Sequence, residues 1–340
     1  MRNGVLSASS GSHEESAIET SIEKSEPGRG RLAKGPGEIP KRGWRDIFWR
    51  VWQQTNEDRI LSVSGSMAFF TLLALFPGLS ALVALYGLFA DNSTIGQHLS
   101  SLAFILPAGA YDLVAAQVDL GIKASSGALG LKFALSVLLA LWSANSGMKA
   151  TFDGLNVAYD ESERRSFVAL NLQSLAFTML AIFAGIVAIA MVIAVPIMLS
   201  FLRMDTGSEF WLSLLRWPVL IIAVWFALVV LYRFGPSREQ PKWRWVTWGS
   251  ALAALLWVLV SSLFSWYVAG FGSYDSSYGP LGAIIAFMTW IWLSATVILL
   301  GAEINAEMEH QTARDSTTGP PQPLGKRGAE MADTIGAKAD

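Results

Sequence analysis

Between Arg244 and Glu303 the chain carries one charged residue, Asp275. It lies in a short polar island, Gly272 to Pro280, and on each side runs an apolar stretch long enough to cross a bilayer. About 20 residues at roughly 1.5 Å rise span the hydrocarbon core. A soluble helix of that length would carry a polar face, and neither flank has one. This stretch constrains the fold more than any other: the chain is an all-α, polytopic membrane helix bundle. The whole sequence agrees, with 52% hydrophobic and 15% charged residues.

Long apolar runs set six spans, at about 63–90, 128–148 (with Lys132 near one end), 173–199, 211–232 (with Arg216 near its entrance), 247–271 and 281–302. A charge at the helix centre costs about 2.5–3.5 kcal/mol on the insertion scale, so the runs must end where charges begin. The loops then orient the bundle. Arg42, Arg45, Arg50 and Arg59 precede span one, Lys149, Arg164 and Arg165 follow span two, and Arg233, Arg238, Lys242 and Arg244 follow span four. The alternate loops hold only Lys123 and Arg203. By the positive-inside rule both termini are cytoplasmic (N-in/C-in). Trp243, Trp245 and Trp248 gather at one expected interface, with Trp211, Trp217 and Trp266 near the other.

Three segments outside the spans carry expectations of their own. Residues 1–41 and 311–340 are rich in Gly, Ser, Pro and charge, and read as disordered cytoplasmic tails flanking a membrane domain at 42–310. The first of these has no apolar h-region, which argues against a cleaved signal peptide. Trp44, Phe48, Val51, Trp52 and Thr55 share a helical face ahead of span one, with Arg45, Arg50 and Gln53 elsewhere. That is an amphipathic helix, suited to lie on the anionic leaflet or to pack on the bundle. The first outer loop, 91–127, has room for a short helix over Leu113, Val114, Val118 and Ile122, too small for a catalytic domain.

Polar residues near the membrane are the candidates for function. Asn145, Lys149, Asp153 and Asn156 recur at i, i+4, i+8 and i+11, on one face at the cytoplasmic end of span two. Glu303 closes span six at similar depth. Two readings stand: Lys149 or Arg165 neutralises Glu303 inside the bundle, or these residues line a path for substrate or ion. Pro77 and Pro196 are expected to kink spans one and three, as in transporters with broken helices. Ala181, Gly185, Ala188, Ser250, Ala251 and Ala254 allow close helix approach. Tyr274, Asp275, Tyr278 and Gly279 form a rigid outer turn between spans five and six.

Several chemistries are excluded. Cysteine is absent, so disulfides, thiolate metal sites and a cysteine nucleophile are out. The three histidines, His13, His98 and His310, have no ligand spacing, so no metal or other cofactor is expected. No nucleophile elbow, zinc-protease motif or phosphate loop occurs, so no catalytic residue is named and the chain is not expected to be an enzyme or to run on ATP. Without a basic groove interleaved with aromatics, no nucleic acid is expected as a partner; membrane lipids are, and a homo-oligomer is allowed.

Three strings carry a resemblance: Ser66 to Pro77 (SMAFFTLLALFP), Leu141 to Lys149 (LWSANSGMK) continuing to Tyr159 and Glu163-Arg-Arg165, and Phe271 to Ala283 with Leu300 to Glu307. Over about 44–309 the chain resembles the YihY/virulence factor BrkB family of bacterial inner-membrane proteins. The resemblance implies six spans, in agreement with the charge pattern. Members have carried a ribonuclease BN label, but the metal cluster of a metal-dependent nuclease is missing here. Some relatives are suspected of moving lipids. The expectation is a non-ATPase transporter or flippase-like protein for an amphiphilic or small anionic substrate, the alternative a non-catalytic envelope scaffold. Substrate, direction, energy source and oligomeric state do not follow from the sequence.

Overall fold

The computed structural model describes the backbone of residues 21–89, 126–201, 206–270 and 280–339. Among them there is no β-strand, only one isolated bridge between Pro241 and Thr317. A short helix, α1 (Lys41–Glu57), precedes six long ones. These are α2 (Ile60–Phe89), α3 (Ser126–Ala158), α4 (Phe167–Phe201), α5 (Thr206–Phe234), α6 (Trp243–Gly270) and α7 (Pro280–His310). A single turn, α8 (Glu330–Asp333), lies near the C-terminus. Pro77 and Pro196 fall inside α2 and α4, whose helical spans continue across them; Pro218, inside α5, is a third. The outer turn Tyr274, Asp275, Tyr278 and Gly279 and the loop at 91–125 lie outside the described residues.

The long helices close a ring. Each packs on its successor from α2 to α7, and α7 returns to pack on α2 and also touches α3 and α1. Among the described residues, three stretches are both long and apolar enough to cross a membrane: Phe167–Ala184, Trp243–Val268 and Ile284–His310. Ile60–Ala74 and Ile221–Phe234 are apolar but shorter within the described residues. Large apolar side chains point outward along them, among them Leu138, Trp142, Phe183, Leu255, Leu259 and Trp266. A water-soluble fold would bury such a surface; hydrocarbon is the solvent that accepts it.

Small residues set the spacing between α6 and α7. A Cβ added at Gly301 would meet Ala253 Cβ and the Tyr232 hydroxyl at 2.5 Å. Ser250 and Ala254 are buried as expected, but Ala251 and Ala181 face outward. Tryptophans clasp the same interface: Trp257 donates to Ser294 Oγ at 3.0 Å and Trp290 to Ser261 Oγ at 3.1 Å. In a medium with no hydrophobic drive between helices, close packing and such bonds provide the cohesion.

The tails correct the sequence expectation. Residues 21–40 and 311–339 are folded together against α1 and the end of α7, forming a cap. Arg31, although in a Gly-rich stretch, is buried and donates to the carbonyls of Gln311 at 3.2 Å and Gly336 at 2.7 Å. Arg327 does the same for Ala313 and Ala332, each at 2.8 Å. Composition predicts disorder where apolar residues are too few. Here the planar, five-donor guanidinium supplies what periodic hydrophobic residues do not, by collecting carbonyls of irregular backbone.

The amphipathic helix is corrected in part. Ile47 and Val51 of α1 pack with Trp245, Ile304 and Met308, while Phe48, Trp49 and Trp52 face outward. Arg50 was expected on an exposed face and is buried, bonded to Glu307 and, at 2.8 Å, to Gln311 Oε1. Trp245, expected as an interfacial anchor, is buried as well.

Candidate functional site

The turn between α1 and α2 positions the first functional group. Asp58 caps α1, its N–H bonded to the carbonyl of Gln54 at 2.8 Å. The next residue, Arg59, takes a left-handed conformation at φ 50°. That region is sterically costly for a non-glycine residue, so it marks a turn whose direction matters more than its ease. The turn brings the Asp58 carboxyl within hydrogen-bonding reach of Glu303 on α7.

Glu303 is fully buried. Neither of its oxygens receives a bond from an N–H or hydroxyl donor, and neither does Asp58 Oδ2. Two ionised carboxylates are acceptors only and cannot bond to one another. A contact between them requires that one carboxyl keep its proton, since like charges in one site do not both ionise. Burial, followed by the charges of Asp160, Glu57 and Glu307 and against the hydrogen bond from Glu303, pushes Asp58 up to about 6. Asp160, at the end of α3 and also left-handed at φ 52°, is raised by burial and by Glu307. Glu57, Asp160 and Glu307 thus add negative charge around Asp58 and Glu303, and Arg50 is committed to Glu307.

The residues proposed from sequence separate. Asn156 is buried, but as a clip: its Oδ1 accepts from the Ser237 N–H at 2.7 Å and its Nδ2 donates to Glu163 at 3.2 Å. Asp153 is exposed, and Asn145 and Lys149 are half-buried, with Asn145 Oδ1 lacking a partner. Burial, with the charge of Glu163, raises Asp153 against the smaller pull of Arg165 and Lys149, and Lys149 forms no ion pair with it within 4 Å. Neither Lys149 nor Arg165 neutralises Glu303, so that expectation is overturned: Arg165 is spent on Glu163, at 2.6 Å, and Glu303 meets another acid. Asp58 was missed because a carboxylate following a charged amphipathic helix looks solvated. The signal was its place just ahead of an uncharged run, with only Arg59 between.

A second buried acid lies further along α7. Glu309 pairs with Arg238 at 2.7 Å, both side chains fully buried, and accepts from Ser316 Oγ at 2.9 Å. The Arg238 guanidinium also stacks 4.4 Å over the Tyr159 ring. Burial alone would favour losing its proton, but Glu309 outweighs this and Arg238 is raised. Among the described residues no group of three or more His, Cys, Asp or Glu could hold a metal ion.

A ring of long helices, apolar outside and closed at one end by a folded polar cap, defines an α-helical integral membrane protein. The chain belongs to the virulence factor BrkB family, whose model matches residues 51–324. It is 34% identical over 253 residues to the ribonuclease-like protein YfkH of Bacillus subtilis, covering 72% of this chain and 88% of that protein. UPF0761 membrane proteins are similar too. The one from Aggregatibacter aphrophilus is 24% identical over 77% of this chain and 92% of its own length. The one from Vibrio parahaemolyticus is 27% identical, over 78% and 82%. No solved structure matches the chain.

Proposed function

We propose that this protein is a non-ATPase transporter or flippase-like protein for an amphiphilic or small anionic substrate, acting without catalytic chemistry. It crosses the bacterial inner membrane six times, with both termini and the cap in the cytoplasm. The observation that carries the reading is Glu303 on α7, fully buried with no donor on either oxygen and with the half-buried Asp58 carboxyl of the α1–α2 turn beside it. An ionisable group kept at membrane depth without a neutralising cation is expensive, and such groups typically mark ion paths or proton relays. Losing the shared proton leaves two like charges facing each other, which drives the turn and α7 apart. Proton occupancy therefore biases two arrangements of the bundle, as an energy source without ATP requires.

The test is reconstitution of the purified protein in proteoliposomes under an imposed pH gradient, following both lipid and anionic solute. Movement that depends on the gradient and is lost in Glu303→Gln supports the reading. No movement of lipid or solute under any gradient overturns it.

One observation favours the alternative of a non-catalytic scaffold: the cap is built from both tails and presents an ordered surface beside the membrane. A scaffold predicts that Glu303→Gln and Asp58→Asn leave function intact while the cap surface does not tolerate change.

A further inference from the structure

The basic loops that orient the chain also converge in space. The α3–α4 and α5–α6 connections border an open cavity of about 370 Å³ whose lining includes Arg164, Arg165, Arg233, Arg238 and Ser237. The positive-inside rule accounts for the arginines being on this side. It does not account for four of them sharing one concavity.

Their bonding leaves donors over. Arg165 forks onto Glu163 at 2.7 and 2.6 Å, Arg238 holds Glu309, and Arg164 reaches Glu161 at 3.1 Å. Arg233 donates to the Pro241 carbonyl and stacks 4.3 Å over the Trp243 ring. After these bonds, Arg165 Nη1, Arg233 Nε, and both Nε and Nη1 of Arg238 remain buried with no acceptor. Four guanidinium nitrogens, from three of the arginines that line one cavity, thus lack an acceptor. Glu239 is the sole carboxylate in its lining, and its backbone N–H is tied to Gly328 at 3.1 Å.

We propose that this cavity is a binding site for a phosphate group, presented by a lipid headgroup or by a soluble phosphate. Guanidinium edges match the geometry of phosphate oxygens and form charge-assisted bonds with them. The volume fits a phosphate with a small substituent. The surroundings suit an amphiphile: Gln173, in the lining, belongs to α4, whose first turns expose Phe167, Val168 and Leu172. An acyl chain has an apolar path along that helix, with Trp243 half exposed beside Arg233 at headgroup level. The site lies apart from the Asp58–Glu303 pair, and binding does not require that the protein transport anything.

The experiment measures binding to the full chain with no gradient present. One arm follows the shift in Tm in detergent with inorganic phosphate against chloride at equal ionic strength. The other uses native mass spectrometry after exchange from vesicles of phosphatidylcholine containing about one fifth phosphatidic acid. Stabilisation by inorganic phosphate identifies a soluble source; retention of phosphatidic acid over phosphatidylcholine alone identifies the headgroup. Arg165→Gln and Arg233→Gln are expected to weaken whichever binding is seen about tenfold, whereas Arg314→Gln, outside the cavity, leaves it unchanged. Arg238→Lys, which keeps the charge on Glu309, guards against unfolding and loses the planar fork. The proposal is overturned if wild type distinguishes neither phosphate from chloride nor phosphatidic acid from phosphatidylcholine. It also fails if folded Arg165 and Arg233 variants bind as wild type does.

Discussion

Glu303 and Glu309 stand less than two turns apart on α7, are the same residue type and are equally buried. Their partners are opposite. Glu309 has a guanidinium, a serine hydroxyl and a tyrosine ring behind the guanidinium. Glu303 has another acid. A buried ion pair locks one arrangement, because removing either member strands the other. A carboxyl pair is stable only while it holds its proton. The difference teaches where a helix that is fixed at its end remains free to respond a turn and a half earlier.

The largest way to break the comparison is to make Glu309 resemble Glu303. Arg238→Met strands a buried carboxylate and is expected to cost about 3–5 kcal/mol, read as a fall in Tm or in denaturant midpoint in detergent. Arg50→Met should cost less, about 1.5–3 kcal/mol, because Glu307 keeps His310 at 3.5 Å. It would also loosen the cap, since Arg50 donates to the Ala337 carbonyl at 2.7 Å. If Arg238→Met were as stable as wild type, the Glu309 pair would not be the anchor described here.

Removing the titrating partner of Glu303 is the next step. Asp58 titrates near 6 in the folded protein against 3.8 ordinarily. Below about pH 4 it is protonated whether folded or unfolded, and above about 6 it is ionised in both. Between those values the folded state alone holds the proton. This contribution to stability is full below about pH 4 and is lost as pH rises through 6. Wild type should therefore gain stability on acidification from pH 7 to 4.5, and Asp58→Asn should flatten that dependence. The variant should also gain about 1 kcal/mol at pH 7, since an amide donates to Glu303 without charge. An unchanged slope in Asp58→Asn would remove Asp58 from the pair.

Much of the bundle was legible in the sequence. Uncharged runs report lipid-facing helices directly, because each charge in hydrocarbon is penalised wherever it falls. The helices α4, α6 and α7 follow those runs closely. The cap was not legible, because Arg31, Arg50 and Arg327 hold it through backbone carbonyls, and carbonyls leave no trace in composition. The candidate site was half legible. Glu303 stood out as the charge ending the last apolar stretch, but its partner lies some 245 residues earlier across a turn. Helical periodicity grouped Asn145, Lys149, Asp153 and Asn156 correctly onto one face. It could not say that the face meets different neighbours along its length: a clip to Ser237 at one end and open surroundings at Asp153.

The smallest effect sharpens the comparison most, because it touches neither acid. Arg59 holds the turn that aims Asp58, and its left-handed backbone costs about 1–2 kcal/mol for a residue with a Cβ. Glycine removes that strain but adds about 0.5–1 kcal/mol of unfolded-state freedom. Arg59→Gly is thus expected to stabilise the protein by about 0.5 kcal/mol, measured as a small rise in Tm. If the strained turn exists to press Asp58 against Glu303, the same variant should relax the contact and shallow the stability gain on acidification. A stabilised variant with its full acid response would mean that the turn merely joins two helices. One with a weakened response would mean that strain is spent here to keep two acids together.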